Sequence, residues 1–261
     1  MSSTYGATYL TKVADEQYGD TADIVHKFGR NPSVGTSFVP VSFGGVYQTP
    51  QVGSATALRI KAGGNANDTA AGTGAREVTL IGLDANGNEI TEAIATAGAS
   101  ASSATTNSFI RLYRAYVSAS GTYATASAGS HSASITIENS AGGTDWATID
   151  ATSFPLSQTE IAVYSVPTGK KAFLLSAFAF TDSNKTTNII CFQRGNILET
   201  AAPYTAMREV FEITSGGGET ELVTKGAIGP FVGPLDIGFM AKIDTGTAEV
   251  DVDFELLVVD D

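Results

Sequence analysis

The stretch GTGAREVTLIGLDANGNEITEAI, residues 72–94, sets the fold class. Its arms, 76–83 and 89–94, are rich in Val, Ile, Leu and Thr and flank Asp84-Ala85-Asn86-Gly87-Asn88. Asn-Gly between two β-rich runs predicts a hairpin, because both residues tolerate the positive φ of a tight turn. The same residues have a superficial likeness to a calcium loop. They lack its glycine at the sixth position and its glutamate at the twelfth, so a turn that fixes strand register is the simpler reading.

Further strands flank the hairpin. Residues 57–61 alternate, and 108–117 place Phe109, Arg111, Tyr113 and Ala115 on one face and Ile110, Leu112, Arg114 and Tyr116 on the other. Residues 133–138 alternate cleanly, and 145–149 carry the sole tryptophan, Trp146. Long polar connections separate these runs at 63–74, 99–107 and 118–132. The last two are low in complexity and flexible in composition. After 151–159, with Pro155, the strand pattern restarts at 160–166, 172–180, 188–193, 207–213, 219–224, 235–243 and 248–259. The final run is the clearest amphipathic strand, with Val250, Val252, Phe254 and Leu256 inward and Asp251, Asp253 and Glu255 between them. Runs spaced in this way predict a sandwich or jelly roll.

Residues 1–50 are the least regular. The reading there is a short helical turn at 20–26, a turn-forming cluster at 27–32 (KFGRNP), and an edge strand or extended arm at 37–47, where Pro40 argues against a central strand. The expected organisation is all-β: an extended N-terminal arm (1–50), a first β domain (51–152) and a C-terminal β-sandwich (153–261), both domains jelly-roll-like.

Composition limits the chemistry. Charged residues are 16% of the 261, below the roughly 25% of ordinary soluble chains, and Gly contributes 28 residues. Fifteen basic residues against 27 acidic ones give a net charge of −12, which disfavours nucleic acid because phosphate neutralisation needs a basic patch. Cys191, the single cysteine, lies in the apolar run NIICF and reads as a buried, inert thiol. The first twenty residues lack the pattern of a signal peptide, and no apolar run approaches the length of a membrane span.

His26 and His131 have no partner at metal-ligand spacing and read as exposed loop residues. A G-x-S-x-G elbow and a phosphate loop are both missing, and Gly216-Gly217-Gly218 reads as a hairpin turn. The expectation is a protein without enzymatic activity, cofactor or metal.

Several segments in order carry a resemblance: KFGRNP (27–32), GLDANGNE (82–89), TNSFIRLYRA (106–115), VPTGK (166–170), PLDI (234–237) and FELLV (254–258). In this order they resemble a group of tailed-bacteriophage virion structural proteins common among marine phages. The resemblance runs from about residue 26 to the C-terminus. The chain departs from it in the Ala/Ser/Gly stretches 99–107 and 118–132, which read as insertions on an outward rim. The resemblance brings no catalytic residues.

What it implies is an architectural role, foremost an accessory capsid decoration or cement protein. Such a protein is made in the host cytoplasm and bound to the capsid exterior through its arm. Its partners would be the major capsid protein or other virion proteins, and further copies of itself, with a trimer favoured. The arm residues expected at that interface are Tyr5, Tyr9, Tyr18, His26, Phe28, Arg30, Phe38 and Phe43. A tail, neck or fibre-anchoring protein is the alternative. A host-surface glycan-binding module using Tyr123 or Trp146 is another.

Overall fold

The structure, a computed structural model, describes residues 22–43, 47, 53–121, 130–151, 157–182, 184–216 and 218–261. The protein is all-β. The first strands are β1 (Ala22–Val34), β2 (Val39–Pro40), β3 (Leu58–Ile60), β4 (Ala75–Leu83) and β5 (Glu89–Ala95). Next come β6 (Arg111–Ser120), β7 (Ile135–Asn139), β8 (Asp145–Ile149), β9 (Val163–Val166) and β10 (Lys170–Thr181). The last are β11 (Thr187–Gly195), β12 (Arg208–Ser215), β13 (Gly218–Val232), β14 (Leu235–Ile243) and β15 (Ala248–Asp260).

The predicted hairpin forms as β4 and β5, in register from Glu77 opposite Ala95 to Leu83 opposite Glu89. Its turn is built by Asp84, whose Oδ1 accepts from the backbone N–H groups of Asn86 and Asn88 at 2.8 and 2.9 Å. Gly87 sits there at φ 78°, a conformation that suits glycine. The sheet β5-β4-β6 stacks on the sheet β3-β7-β8. Alternating residues of both fill one core, including Leu80, Phe109, Leu112, Ile137 and Trp146.

A second pair of sheets has the orders β1-β15-β10-β13 and β12-β11-β14-β2. The inward row of β15 read from sequence, Val250 to Leu256, lies in the core between them with Leu174, Cys191 and Phe239. β2 pairs with Met240 and Ala241 of β14, and β9 pairs with Leu235 to Gly238 along the same flank. β2 and β9 are therefore two halves of one strand position. Counted that way, eight positions follow in chain order, and the two sheets read 1-8-3-6 and 5-4-7-2. Strands β3 to β8 are inserted between the halves of position two.

This arrangement corrects the N-terminal reading. Residues 22–34 are not arm, helical turn or turn cluster; they are a 13-residue strand paired with β15 from Ala22 opposite Val259 to Asn31 opposite Val250. Gly29 permits it. A Cβ there would lie 2.1 Å from the Ala162 nitrogen and 2.2 Å from the Val41 oxygen, so only glycine lets β1 pass so close. Pro32 falls where the register shifts between Asn31 and Val34, the irregular position in which a strand accepts proline. The edge placement expected around Pro40 holds, since β2 ends its sheet.

Residues 99–107 are likewise no loose loop. Ser102 and Thr105 are buried, and each exchanges hydrogen bonds with β3: Ile60 N–H to Ser102 Oγ at 2.8 Å, Leu58 N–H to Thr105 Oγ1 at 2.8 Å. Small hydroxyl residues close the open edge of that sheet in place of a strand.

Candidate functional site

The residues that carry structure-specific chemistry cluster where the inserted strands meet the eight-position sandwich. The hairpin tip docks first. Thr168, in the 166–170 turn, donates its backbone N–H to Gly87 O at 2.8 Å and its hydroxyl to Asn86 O at 2.9 Å. A Cβ on Gly87 would stand 2.5 Å from Thr168 Oγ1. Two of the segments behind the sequence resemblance are thus packed against each other.

Behind the hairpin lies a buried ion pair. Arg111 of β6 and Asp236 of β14 are both 0% exposed, and Arg111 Nε donates to Asp236 Oδ2 at 3.0 Å. The carboxylate also accepts from Ser165 Oγ at 2.6 Å and from the Tyr47 hydroxyl at 3.2 Å. Arg111 Nη1 donates to Ile110 O at 2.9 Å. Burial pulls the Arg111 pKa down, and Asp236 more than offsets it, leaving the guanidinium above its ordinary value. Burial, with Asp236 beside it, pushes the Tyr47 hydroxyl far above the usual tyrosine range. The network joins β6 of the insertion to β9 and β14 of the sandwich, and Leu83, Ile110 and Tyr113 cross the same boundary to enter the sandwich core.

Arg30 gathers a second network. Its Nε meets Glu249 Oε2 at 3.0 Å, and its Nη1 meets Glu160 Oε2 at 3.2 Å and Asp150 Oδ2 at 3.7 Å. Burial raises the Glu160 pKa although Arg30 opposes the rise. On the neighbouring strand, burial and then Glu249 push Asp251 up to about 7. Among the described residues, no group of three or more His, Cys, Asp or Glu side chains is arranged to hold a metal ion. The cluster is a charge junction between β1, β15 and the segment after β8.

Of the residues expected at an interface, five are described: His26, Phe28 and Arg30 share β1, Phe43 neighbours Arg30, and Phe38 packs on Lys242. His26 is exposed, Phe28 and Arg30 are half-buried on the outer face of β1, and Arg30 is committed to its carboxylates. Phe43 lies 6.0 Å from the Arg30 guanidinium, while Phe38 lies 4.7 Å from Lys242 Nζ. Tyr5, Tyr9 and Tyr18 fall outside the described residues, as does Tyr123.

His131 was expected in an exposed loop, but it is buried at 7% exposure with Nε2 3.0 Å from Asp150 O. His26 is exposed as expected, on a strand and not in a loop. Trp146, read as a ligand-facing aromatic, is 2% exposed inside a core. Cys191 is buried, as expected, and burial pushes its thiol pKa up. Sequence reading gave Lys27, Asp236 and Glu160 no buried role; a buried charge looks in sequence like any surface charge, and only its partner reveals it.

No family model matches the chain, and no curated protein does. Among solved structures, the chain is similar to one described as the structure of the infectious bursal disease virus Gt strain. The identity is 10% over 92% of this chain and 72% of that chain, with a TM-score of 0.24. A likeness of that size carries no argument about either fold or function. No helix among the described residues is long and apolar enough to cross a membrane.

Proposed function

We propose that the chain is a non-enzymatic structural component of a tailed-phage virion, and within it an accessory decoration or cement protein on the capsid exterior. The observation that carries the reading is the strand order 1-8-3-6 and 5-4-7-2, with β3 to β8 inserted between the halves of position two. We read this as a jelly roll, an architecture that viral capsid and lectin domains use, carrying a second β-sandwich as a projection. The ordered motifs of residues 27–32, 82–89 and 166–170 add to it. A net charge of −12 suits a solvent-facing position in a dense array.

Closed symmetry would multiply the footprint of each copy. The glycan-binding alternative loses Trp146, which is buried. The tail or neck alternative is separated by copy number. Quantitative mass spectrometry of purified particles, scaled to the major capsid protein, is expected to give one copy or trimer per capsid lattice position. A count in low multiples of six or three per particle would replace the decoration reading with the tail one, and absence from particles would remove both.

A further inference from the structure

Among the fifteen Lys and Arg side chains of an acidic protein, two, with one of its two histidines, line a single pocket. The pocket is about 300 Å³, lies at the outer edge of β1, and is lined by His26, Lys27, Phe28, Arg114, Gln158 and Thr159. β1 ends its sheet, so no further strand of that sheet occupies the flank.

We propose that this pocket binds a carboxylate group. Lys27 lies on the inward row of β1, opposite Phe254, and is 6% exposed. Its ammonium carries three N–H donors and, among the described residues, meets one acceptor, Tyr113 O at 2.5 Å, with the Tyr113 ring 5.6 Å away. A buried ammonium so poorly satisfied gains from an anionic oxygen. Arg114, exposed on β6, supplies the planar fork that suits carboxylate oxygens. It is held in place by stacking 5.1 Å from the Tyr116 ring and by Gln158 Oε1 at 3.3 Å. The aromatic wall of Phe28 accommodates a short apolar stem.

The charged groups facing the pocket are His26, Lys27 and Arg114 themselves; Asp253 and Glu255 of β15 flank His26 on its far side. Burial, then Arg114, lower Lys27 to about 7. Below that pH the ammonium is charged and an anion is drawn in; above it the attraction falls away. The inference stands on the pocket alone and does not depend on the virion reading.

The test is calorimetric titration of the full chain with succinate, against chloride at equal ionic strength. Saturable binding is expected at about pH 6, weakened at least about tenfold at pH 9 as Lys27 loses its proton. Arg114→Gln, at an exposed position, is expected to weaken it about tenfold, and Lys27→Met to abolish it. No saturable succinate binding at pH 6, binding unchanged in Arg114→Gln, or binding of phosphate without succinate each overturns the proposal. Sedimentation equilibrium decides the natural source. Dissociation of oligomers by succinate and by Arg114→Gln identifies a carboxylate side chain of a second copy. Oligomeric state unmoved by either, with succinate still bound, identifies a free small acid.

Discussion

Replacing Asp236 by Asn keeps the side-chain shape and removes the charge that compensates Arg111. Both residues are wholly enclosed, so no water can take over the lost partnership. Breaking a buried pair by removing one member costs about 3–5 kcal/mol, because the other charge is left uncompensated. Against a total stability of about 5–15 kcal/mol, that loss is a large fraction. Arg111 Nη2 already lacks a hydrogen-bond partner among the described residues; the amide oxygen of the variant can still accept from Nε, but the buried guanidinium is left without a counter-charge. The double variant Arg111→Met, Asp236→Leu removes both charges and is expected to recover most of the loss.

Urea unfolding provides the assay, with two probes. Trp146, the sole tryptophan, reports the core of the inserted strands, and far-ultraviolet circular dichroism reports all sheets. In the unsubstituted protein the two transitions coincide; in Asp236→Asn the midpoint falls for both. A loss below about 1 kcal/mol, or a double variant as unstable as the sum of the singles, would refute the reasoning.

Three further outcomes follow from the same structure. Gly87→Ala places a Cβ 2.5 Å from Thr168 Oγ1 at φ 78°, and is expected to lower stability by about 1–3 kcal/mol in the same urea assay. Gly29→Ala meets backbone on both sides of β1 and should prevent soluble folding, measured as loss of the cooperative transition. Asp251 has a folded pKa of about 7 against an unfolded value near 4, so the native state holds a proton that the unfolded chain releases between those values. Stability therefore falls as pH rises from about 4 to 7. Asp251→Asn is expected to raise the melting temperature at pH 8 relative to the unsubstituted protein and to change it little at pH 4; equal melting temperatures at pH 8 would contradict this.

The hairpin and the alternating runs were legible in sequence because period-two burial and turn chemistry are local. β4 and β5, and the strands from β9 to β15, lie where the sequence runs put them, except that β13 continues eight residues beyond the 219–224 expected, to Val232. β1 was not legible: Gly29, Asn31 and Pro32 are individually turn residues, and only the close approach to Val41 and Ala162 makes them strand. The same non-locality hid the split position. β2 and β9 are separated by more than a hundred residues, and nothing in either says that both pair with β14. Lys27 read as part of a turn cluster, and Arg111 and Asp236 as ordinary charges on strands. Their burial follows from the packing of the inserted sheets on the sandwich, which no local pattern records. A consequence is practical: a deletion of residues 1–36 removes β1 and with it the partner of β15, so it tests folding and not attachment. A deletion of residues 1–21 is the one that leaves the described strands whole.

We propose that the eight-position sandwich, read as a jelly roll with an inserted β unit, serves as an exterior structural protein of a virion. Cryo-electron microscopy of intact phage particles produced from a genome that carries this coding sequence tests the proposal most directly. The expected result is density on the outer capsid lattice into which the β1-β15-β10-β13 and β12-β11-β14-β2 sheets fit, with β3 to β8 projecting outward. Density for the chain only on the tail, or none in the particle, would contradict it.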